Sequence, residues 1–321
     1  MTMKKALITG ITGFAGSHLA ELLVEQGAWE VFGIHASDRH LQNIETIKDR
    51  VTLQKVNLLD APEINRVIAE VEPEVIFHLA ASTFVGDSFD KPAEFISNNS
   101  TAQINMLEAV RNNNLINTKI IVVSSAHAYG LVDPKNLPIN EDVPFTPDNP
   151  YAVSKITQDY LGLCYFLSYN LPIVRLRPFN HIGSRLPASI SISRFAKQIA
   201  EIEKGLQEPI MKVGNLEAKR DFTDISDMMR AYILAAEKCE NGEAYNLGTG
   251  VSHKIGDVLE KLIALARVPI SIESDESLFR PSDIPDLRCD ASKFKSATGW
   301  EPTVPLEKSL QDILDYWRSV V

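Results

Sequence analysis

The sequence predicts an α/β protein with a doubly wound parallel sheet and a smaller, interwoven C-terminal lobe. Three observations carry that expectation. Short apolar runs lack the polar alternation of a half-exposed strand, amphipathic stretches separate them, and this rhythm breaks after Arg177. The runs at 4–9, 30–35, 51–56, 74–79, 119–124 and 171–176 read as strands. Between them, residues 16–26, 61–71, 92–112 and 151–169 read as helices covering both faces of the sheet.

Beyond Arg177 the pattern is looser. A loop rich in Pro, Gly and Ser (178–193) leads to a helix at 195–204, a strand at IMKV and a loop, GNLEAKR. DISDMMRAYILAAEK places Met228, Met229, Tyr232, Ile233 and Ala236 on one helical face. A short strand at AYNLG, a helix at 255–266 and a final amphipathic helix complete the chain. The expected division is a dinucleotide domain of 1–177 plus 222–250 and a second, smaller lobe of 178–221 plus 251–321.

Composition narrows the class. The 321 residues, 45% hydrophobic and 23% charged, are enough for two lobes with substantial cores. A net charge of −10 disfavours nonspecific binding to nucleic acid or anionic membrane. Cys164, Cys239 and Cys289 are odd in number and far apart, which points to reduced thiols in a cytoplasm and to no cysteine metal site. MTMKKALITG reads as a first strand, not a signal peptide, and no window reaches transmembrane length.

ITGITGFAGSHLA puts Gly10, Gly13 and Gly16 between the first strand and the first helix. Small residues there admit a pyrophosphate to the backbone, at a helix N-terminus with free N–H groups. This is the dinucleotide-binding signature of a Rossmann-like sheet. The second strand ends in His35, where an acid would hold a ribose 2′-hydroxyl and repel a 2′-phosphate. With Arg39 close by, either as a 2′-phosphate partner or as a solvated loop charge, NADPH is expected to serve at least as well as NADH. Asn57 and Leu58 follow the third strand, at the expected adenine edge, and Leu79, Ala80 and Ala81 would pass beneath the middle of the cofactor.

YAVSK places Tyr151 and Lys155 four apart on one helical face. A lone tyrosine titrates near ~10, so a neighbouring cation is needed to stabilise its phenolate. Some twenty-five residues upstream, SSAHAYG closes the fifth strand with Ser124, Ser125 and His127. In the second lobe, Arg220 and Arg280 suit bidentate phosphate contacts, and Asn180 could meet a phosphate or a hydroxyl.

Glycine loop, serine and Tyr-x-x-x-Lys together resemble the extended short-chain dehydrogenase/reductase family over the whole chain. RPFNHIG, GNLEAKRDFTDISDMMRAY and RPSDIPDLRCDASKFKSATGWEP resemble its branch that handles GDP-mannose derivatives. The resemblance implies a catalytic triad of Ser125, Tyr151 and Lys155, with Asn99 propping the lysine through a water. It implies cofactor contacts from Thr12, Phe14, Ala15, Val123 and Pro178 beside those above, and sugar-nucleotide contacts from Ser88, His127, Asn180, Arg185 and Val213. Arg185 departs from the Pro-Gly usual in that loop. Related dehydratases carry an acid two positions after the catalytic hydroxyl, whereas Ala126 and His127 stand here. His127 then borders the sugar or acts as an acid–base group, the former reading being preferred.

The implied reaction is reduction, by NADPH or NADH, of the C4 ketone of a GDP-linked 4-keto-6-deoxyhexose. A 4-epimerase, a 4,6-dehydratase and a non-catalytic dinucleotide sensor are the alternatives. Family members pair the helices at 92–112 and 151–169 across a two-fold axis, so a homodimer is implied; burial of Met106, Tyr160 and Phe166 within the monomer is the other reading.

Overall fold

The computed structural model describes residues 3–279 and 284–321. The first half comprises β1 (Lys4–Thr9), α1 (Phe14–Gln26), β2 (Trp29–His35), β3 (Val51–Lys55), α2 (Ala61–Val71), β4 (Val75–His78), α3 (Val85–Asp90), α4 (Pro92–Asn112), β5 (Lys119–Val123), α5 (Pro150–Tyr169) and β6 (Ile173–Pro178). There follow β7 (Asn180–Ile182), α6 (Ser191–Glu203), β8 (Ile210–Val213), β9 (Lys219–Asp224), α7 (Ile225–Lys238) and β10 (Ala244–Leu247). The chain ends with β11 (Ser252–Lys254), α8 (Ile255–Ile263), β12 (Ser271–Ser274), β13 (Asp286–Leu287), α9 (Ser292–Thr298) and α10 (Leu306–Val320).

Seven strands pair in parallel in the order β10-β6-β5-β4-β1-β2-β3. The winding reverses between β1 and β4, and in such sheets ligands bind beyond the carboxyl ends of the strands at that reversal. Apolar side chains fill both faces: Leu19, Leu23, Met228 and Tyr232 from α1 and α7 on one, Ile64, Ile68, Met106 and Leu107 from α2 and α4 on the other. This is the expected doubly wound, Rossmann-like sheet.

Local chemistry sets the ends of the helices that matter. Asn149 Oδ1 accepts the Ala152 N–H at 2.8 Å and Pro150 opens the first turn, so α5 begins just ahead of Tyr151. It closes at Asn170, which takes a positive φ of 55°. Asp60 caps α2 in the same way, accepting from Glu63 N at 3.1 Å.

The second lobe has its own core, in which α6, α8 and α10 bury Ile192, Phe195, Leu259 and Ile313. Its boundaries differ from those expected. Phe294 and Trp300, assigned by sequence to the sugar lobe, pack into the sheet core against Tyr245 and α7. β9, whose second half was expected in the dinucleotide domain, lies instead in a small sheet with β7, β11 and β13. A 3-10 run at Leu41–Arg50, where no element is expected, buries Ile44 and Ile47. The 255–266 helix stops at Ile263.

A buried ion cluster ties α5 to the sheet. Asp159, fully buried, accepts from Arg175 Nη1 at 2.6 Å and from Arg177 Nε and Nη2 at 2.8 and 3.2 Å. Asp159→Asn strands two buried guanidinium groups, so it should destabilise folding by about 3–5 kcal/mol in urea unfolding. A loss under about 1 kcal/mol would show that α5 is held by packing alone.

Candidate active site

The glycine loop leaves β1 at Gly10 and turns into α1. A Cβ at Gly16 would lie 2.2 Å from the Gly10 carbonyl, so only glycine allows the helix to start this close to the strand. Gly13 caps α1 without a side-chain bond, and no acid occupies the first turn. The leading N–H groups have no helical partner, and the loop walls carry no bulk. These features fit a dinucleotide pyrophosphate. Thr12 lies on this loop and Phe14 and Ala15 open α1; Thr12 is buried, and its carbonyl accepts from Asn43 Nδ2 at 2.9 Å.

Around the loop stand the other sequence-derived cofactor residues. His35 ends β2 with Nδ1 3.0 Å from the Ser37 carbonyl, and Arg39 is exposed just beyond. Leu79 and Ala80 donate their N–H groups to Thr9 Oγ1 at 3.1 and 3.2 Å, which aims the β4 end, Ala81 included, across the mouth of the crevice. Asn57 uses its Oδ1 to accept from Leu59 N at 3.0 Å. Leu58 is buried in the core, and its carbonyl accepts from Asn105 Nδ2 at 2.9 Å. Pro178 closes β6.

Tyr151 is buried, packed with Val85 and Phe95 and hydrogen-bonded to Ser125. Burial pushes its phenol above the ordinary tyrosine range, while the Ser125 hydroxyl draws it partly back. The expected lowering of this phenol by Lys155 is not what the site shows. Lys155 Nζ donates instead to the Val123 carbonyl at 2.7 Å and to Gln158 Oε1 at 2.8 Å, and burial draws it down to about 7. Ser124 Oγ donates to the Lys155 carbonyl at 3.0 Å, tying the β5 end to the helix.

SSAHAYG forms a tight turn after β5. Ser125 Oγ accepts from His127 N at 3.2 Å, and the His127 ring meets Tyr151 edge-on with centroids 6.0 Å apart. Gly130 at φ 60° is indispensable, since a Cβ there would fall 1.7 Å from the Thr146 carbonyl. Ser125, Tyr151, Lys155 and His127 are therefore gathered in one place.

Other expected residues are engaged elsewhere. Asn99, whose expected link to the lysine runs through a water, bonds Ser82 N and O and the Ser154 hydroxyl, at 2.7, 3.1 and 2.9 Å, and so braces the β4 loop against α5; the side chain in direct contact with the lysine is Gln158. Ser88 is fully buried and donates to the Val85 carbonyl at 2.7 Å, turned into its own helix. Val213 lies inside the second lobe's core, 2% exposed. Arg185, expected at the sugar, faces α1: it pairs with Glu21, donates to the Asn43 carbonyl at 2.7 Å and to His18 Nδ1 at 2.8 Å. Burial, with Arg185 second, lowers His18 to about 4, so the imidazole stays neutral and accepts.

Asn180 keeps its place, with a buried Oδ1 that has no hydrogen-bond partner. Arg220 donates to the Lys219 and Ile284 carbonyls at 2.8 and 2.6 Å, and Arg280 lies outside the described residues. Sequence reading missed Gln158, although its position three after Lys155 on one helix is a usable signal. It also missed the Glu21–Arg185 pair, which joins residues far apart in sequence.

The family described as GDP-mannose 4,6 dehydratase matches residues 7–313. GDP-6-deoxy-D-mannose reductase of Pseudomonas aeruginosa is 30% identical over 99% of this chain and 98% of its own length. GDP-mannose 4,6 dehydratase 1 of Arabidopsis thaliana is 31% identical, covering 97% of this chain and 89% of its own. Among solved structures, RMD from Pseudomonas aeruginosa complexed with NADPH matches with a TM-score of 0.87 at 30% identity, over 99% of this chain and 100% of that one. UDP-glucose 4-epimerase from Thermus thermophilus in complex with NAD matches at 0.88 and 28% identity, over the same shares. With its parallel sheet, glycine loop and Ser-Tyr-Lys constellation, the chain belongs to the GDP-mannose 4,6-dehydratase family of extended short-chain dehydrogenases/reductases.

Proposed function

We propose that the protein reduces the C4 ketone of GDP-4-keto-6-deoxy-D-mannose, giving GDP-D-rhamnose, with NADPH and also NADH as reductant. It is an NAD(P)-dependent oxidoreductase of the nucleotide-sugar type, as its relatives are. The observation that carries the choice of reduction is the pair Ala126–His127 beside Ser125 and Tyr151, where an eliminating enzyme needs a carboxylate. The P. aeruginosa reductase among the relatives and its complex with NADPH support the same reading.

The bound nicotinamide supplies hydride. Tyr151, kept protonated by burial, donates its proton to the oxygen that gains charge at C4. Ser125 hydrogen-bonds that oxygen and orients the phenol. Lys155, buried under Val123 and Gln158, holds the ribose and restores the tyrosine's proton. His127 walls the sugar pocket. Asn180 offers its unpartnered oxygen to a sugar hydroxyl, and Arg220, with Arg280 outside the described residues, meets the diphosphate. A 2′-phosphate is met by Arg39.

The active form is read as a cytoplasmic homodimer. Met106 is in the monomer's core, and Phe166 is half-buried against Gly242. Val153, Tyr160 and Leu167 remain exposed at intervals of seven on α5, a stripe suited to helix pairing. Among the described residues no helix is long and apolar enough to cross a membrane, and no cluster of groups suits a metal.

Tyr151→Phe should lose about 10²–10⁴-fold in kcat while KM for the sugar nucleotide changes little. Turnover near the wild-type rate would assign the proton to another group. Arg39→Ala should weaken NADPH more than NADH in paired KM measurements, and equal losses would remove Arg39 from the 2′-phosphate. Incubated with GDP-mannose and oxidised cofactor, the protein should show no loss of water by mass spectrometry, yet it should oxidise NADPH when given the 4-keto-6-deoxy sugar. Efficient water loss abolished by His127→Ala would make the protein a dehydratase with an imidazole catalyst.

A further inference from the structure

The nitrogen of Lys155 has two acceptors, the Val123 carbonyl at 2.7 Å and Gln158 Oε1 at 2.8 Å. A main-chain carbonyl is fixed by its strand, so Gln158 is the adjustable partner, and Gln158 is itself held on several sides. Its amide nitrogen stands 3.5 Å from His78 Nε2, and His78 Nδ1 is 3.0 Å from the Thr9 hydroxyl. Thr9 takes the Leu79 and Ala80 N–H groups at the base of the cofactor crevice. From the other side, Gln103 Nε2 donates to the Gln158 carbonyl at 2.8 Å. Thr9, Gln103 and Gln158 are at most 1% exposed and His78 is 2% exposed. The chain of side chains therefore ends in the core, away from water.

We propose that Gln158 is the positioning residue of Lys155, its neutral amide seating the lysine nitrogen on a rigid run of side chains that reaches back to the strand carrying the glycine loop. This rests on the reading of Lys155 as the catalytic lysine. An amide supplies an acceptor without a charge. The groups facing this region are Tyr151 on α5, neutral His78 on β4 (lowered to about 3 by burial) and, beyond the tyrosine, Tyr232 on α7, raised by burial and protonated. None carries a negative charge at neutral pH. Asp159, next along α5, has both oxygens taken by Arg175 and Arg177. Burial without a counter-charge is why Lys155 sits near about 7. A carboxylate at position 158 would favour the ammonium and raise its titration midpoint; loss of the acceptor would lower it.

The test needs neither cofactor nor sugar. Protein carrying ¹³C at the lysine ε-carbons is titrated by NMR as wild type, Gln158→Glu and Gln158→Met, with the Lys155 signal identified by its loss in Lys155→Arg. The midpoint should rise by about 1–3 pH units in the Glu variant and fall in the Met variant. If burying a carboxylate prevents folding, the Met variant alone decides, since it keeps the side chain's length. Midpoints unchanged from wild type would overturn the proposal. In turnover assays with NADPH, Gln158→Met should lower kcat about tenfold with KM for the sugar nucleotide within twofold, each decade being about 1.4 kcal/mol. A parallel rise in KM would reveal general distortion and also overturn it. Lys155→Ala with full turnover would instead sink the catalytic reading of the lysine, a result separable from a flat titration.

Discussion

Everything at the catalytic end depends on how α5 is fixed to the sheet, and one carboxylate fixes it. Tyr151, Lys155 and Asp159 follow at intervals of four, so they share a face of the helix. Asp159 is clamped by Arg175 and Arg177 of β6, and Arg177 extends the clamp to the Tyr129 hydroxyl at 3.0 Å and the Glu141 carbonyl at 3.2 Å. Tyr129 belongs to the same turn as Ser125, and its hydroxyl donates to Asn246 of β10 at 2.7 Å. The serine and the tyrosine–lysine pair thus come from different elements yet answer to one ion cluster. Such a cluster is a poor source of net stability, because desolvating three charges offsets their attraction. What it supplies is a single allowed register of helix against strand.

The two lobes meet through contacts of several kinds. Phe14, the first residue of α1, stacks on His181 of β7, with centroids 5.7 Å apart and planes nearly parallel. Arg185, at a positive φ of 68°, reaches from the loop after β7 to Glu21 and His18 on α1. Ala126 and Tyr129, from the serine turn, share an apolar cluster with Phe179, Ile284 and Leu287. Fully buried Asp221 on β9 accepts from Thr249, Gly250 and Cys289 backbone N–H groups, at 2.9, 2.8 and 3.1 Å. The crevice is bounded on both sides by residues with internal bonds, as a site pre-organised for its ligand requires.

The sheet, the glycine loop and the Ser-Tyr-Lys constellation were legible in the sequence because each depends on local pattern. Apolar runs locate strands, three glycines mark a tight strand–helix turn, and a spacing of four puts two side chains on one helical face. What escaped has a different origin. Asp159 with Arg175 and Arg177, and Glu21 with Arg185, are partnerships that only the folded chain creates, and no periodicity announces them. Ser88 was misplaced because a serine on a short helix satisfies itself on the carbonyl three residues back, a local option that sequence position does not reveal. Phe294 and Trp300 went to the wrong lobe because chain order was followed where the path crosses back to the sheet.

Burial shifts the two central titrating groups in ways that bear on the direction of the reaction. It raises Tyr151 and lowers Lys155, favouring the neutral form of each. A phenol raised in this way keeps its proton at neutral pH and is a weaker acid than free tyrosine, so in the proposed reduction its proton transfer needs support from Ser125 and Lys155. A lysine near about 7 can give up and recover a proton without crossing a large energetic gap. Elimination across C5 and C6 asks for something else, a group already deprotonated beside the sugar and an acid for the departing hydroxyl. Ala126 contributes neither, and the His127 and Tyr151 rings meet in a T-shaped contact. The carboxylate that elimination would use is absent beside Ser125 and Tyr151, and on that absence the proposed reduction rests.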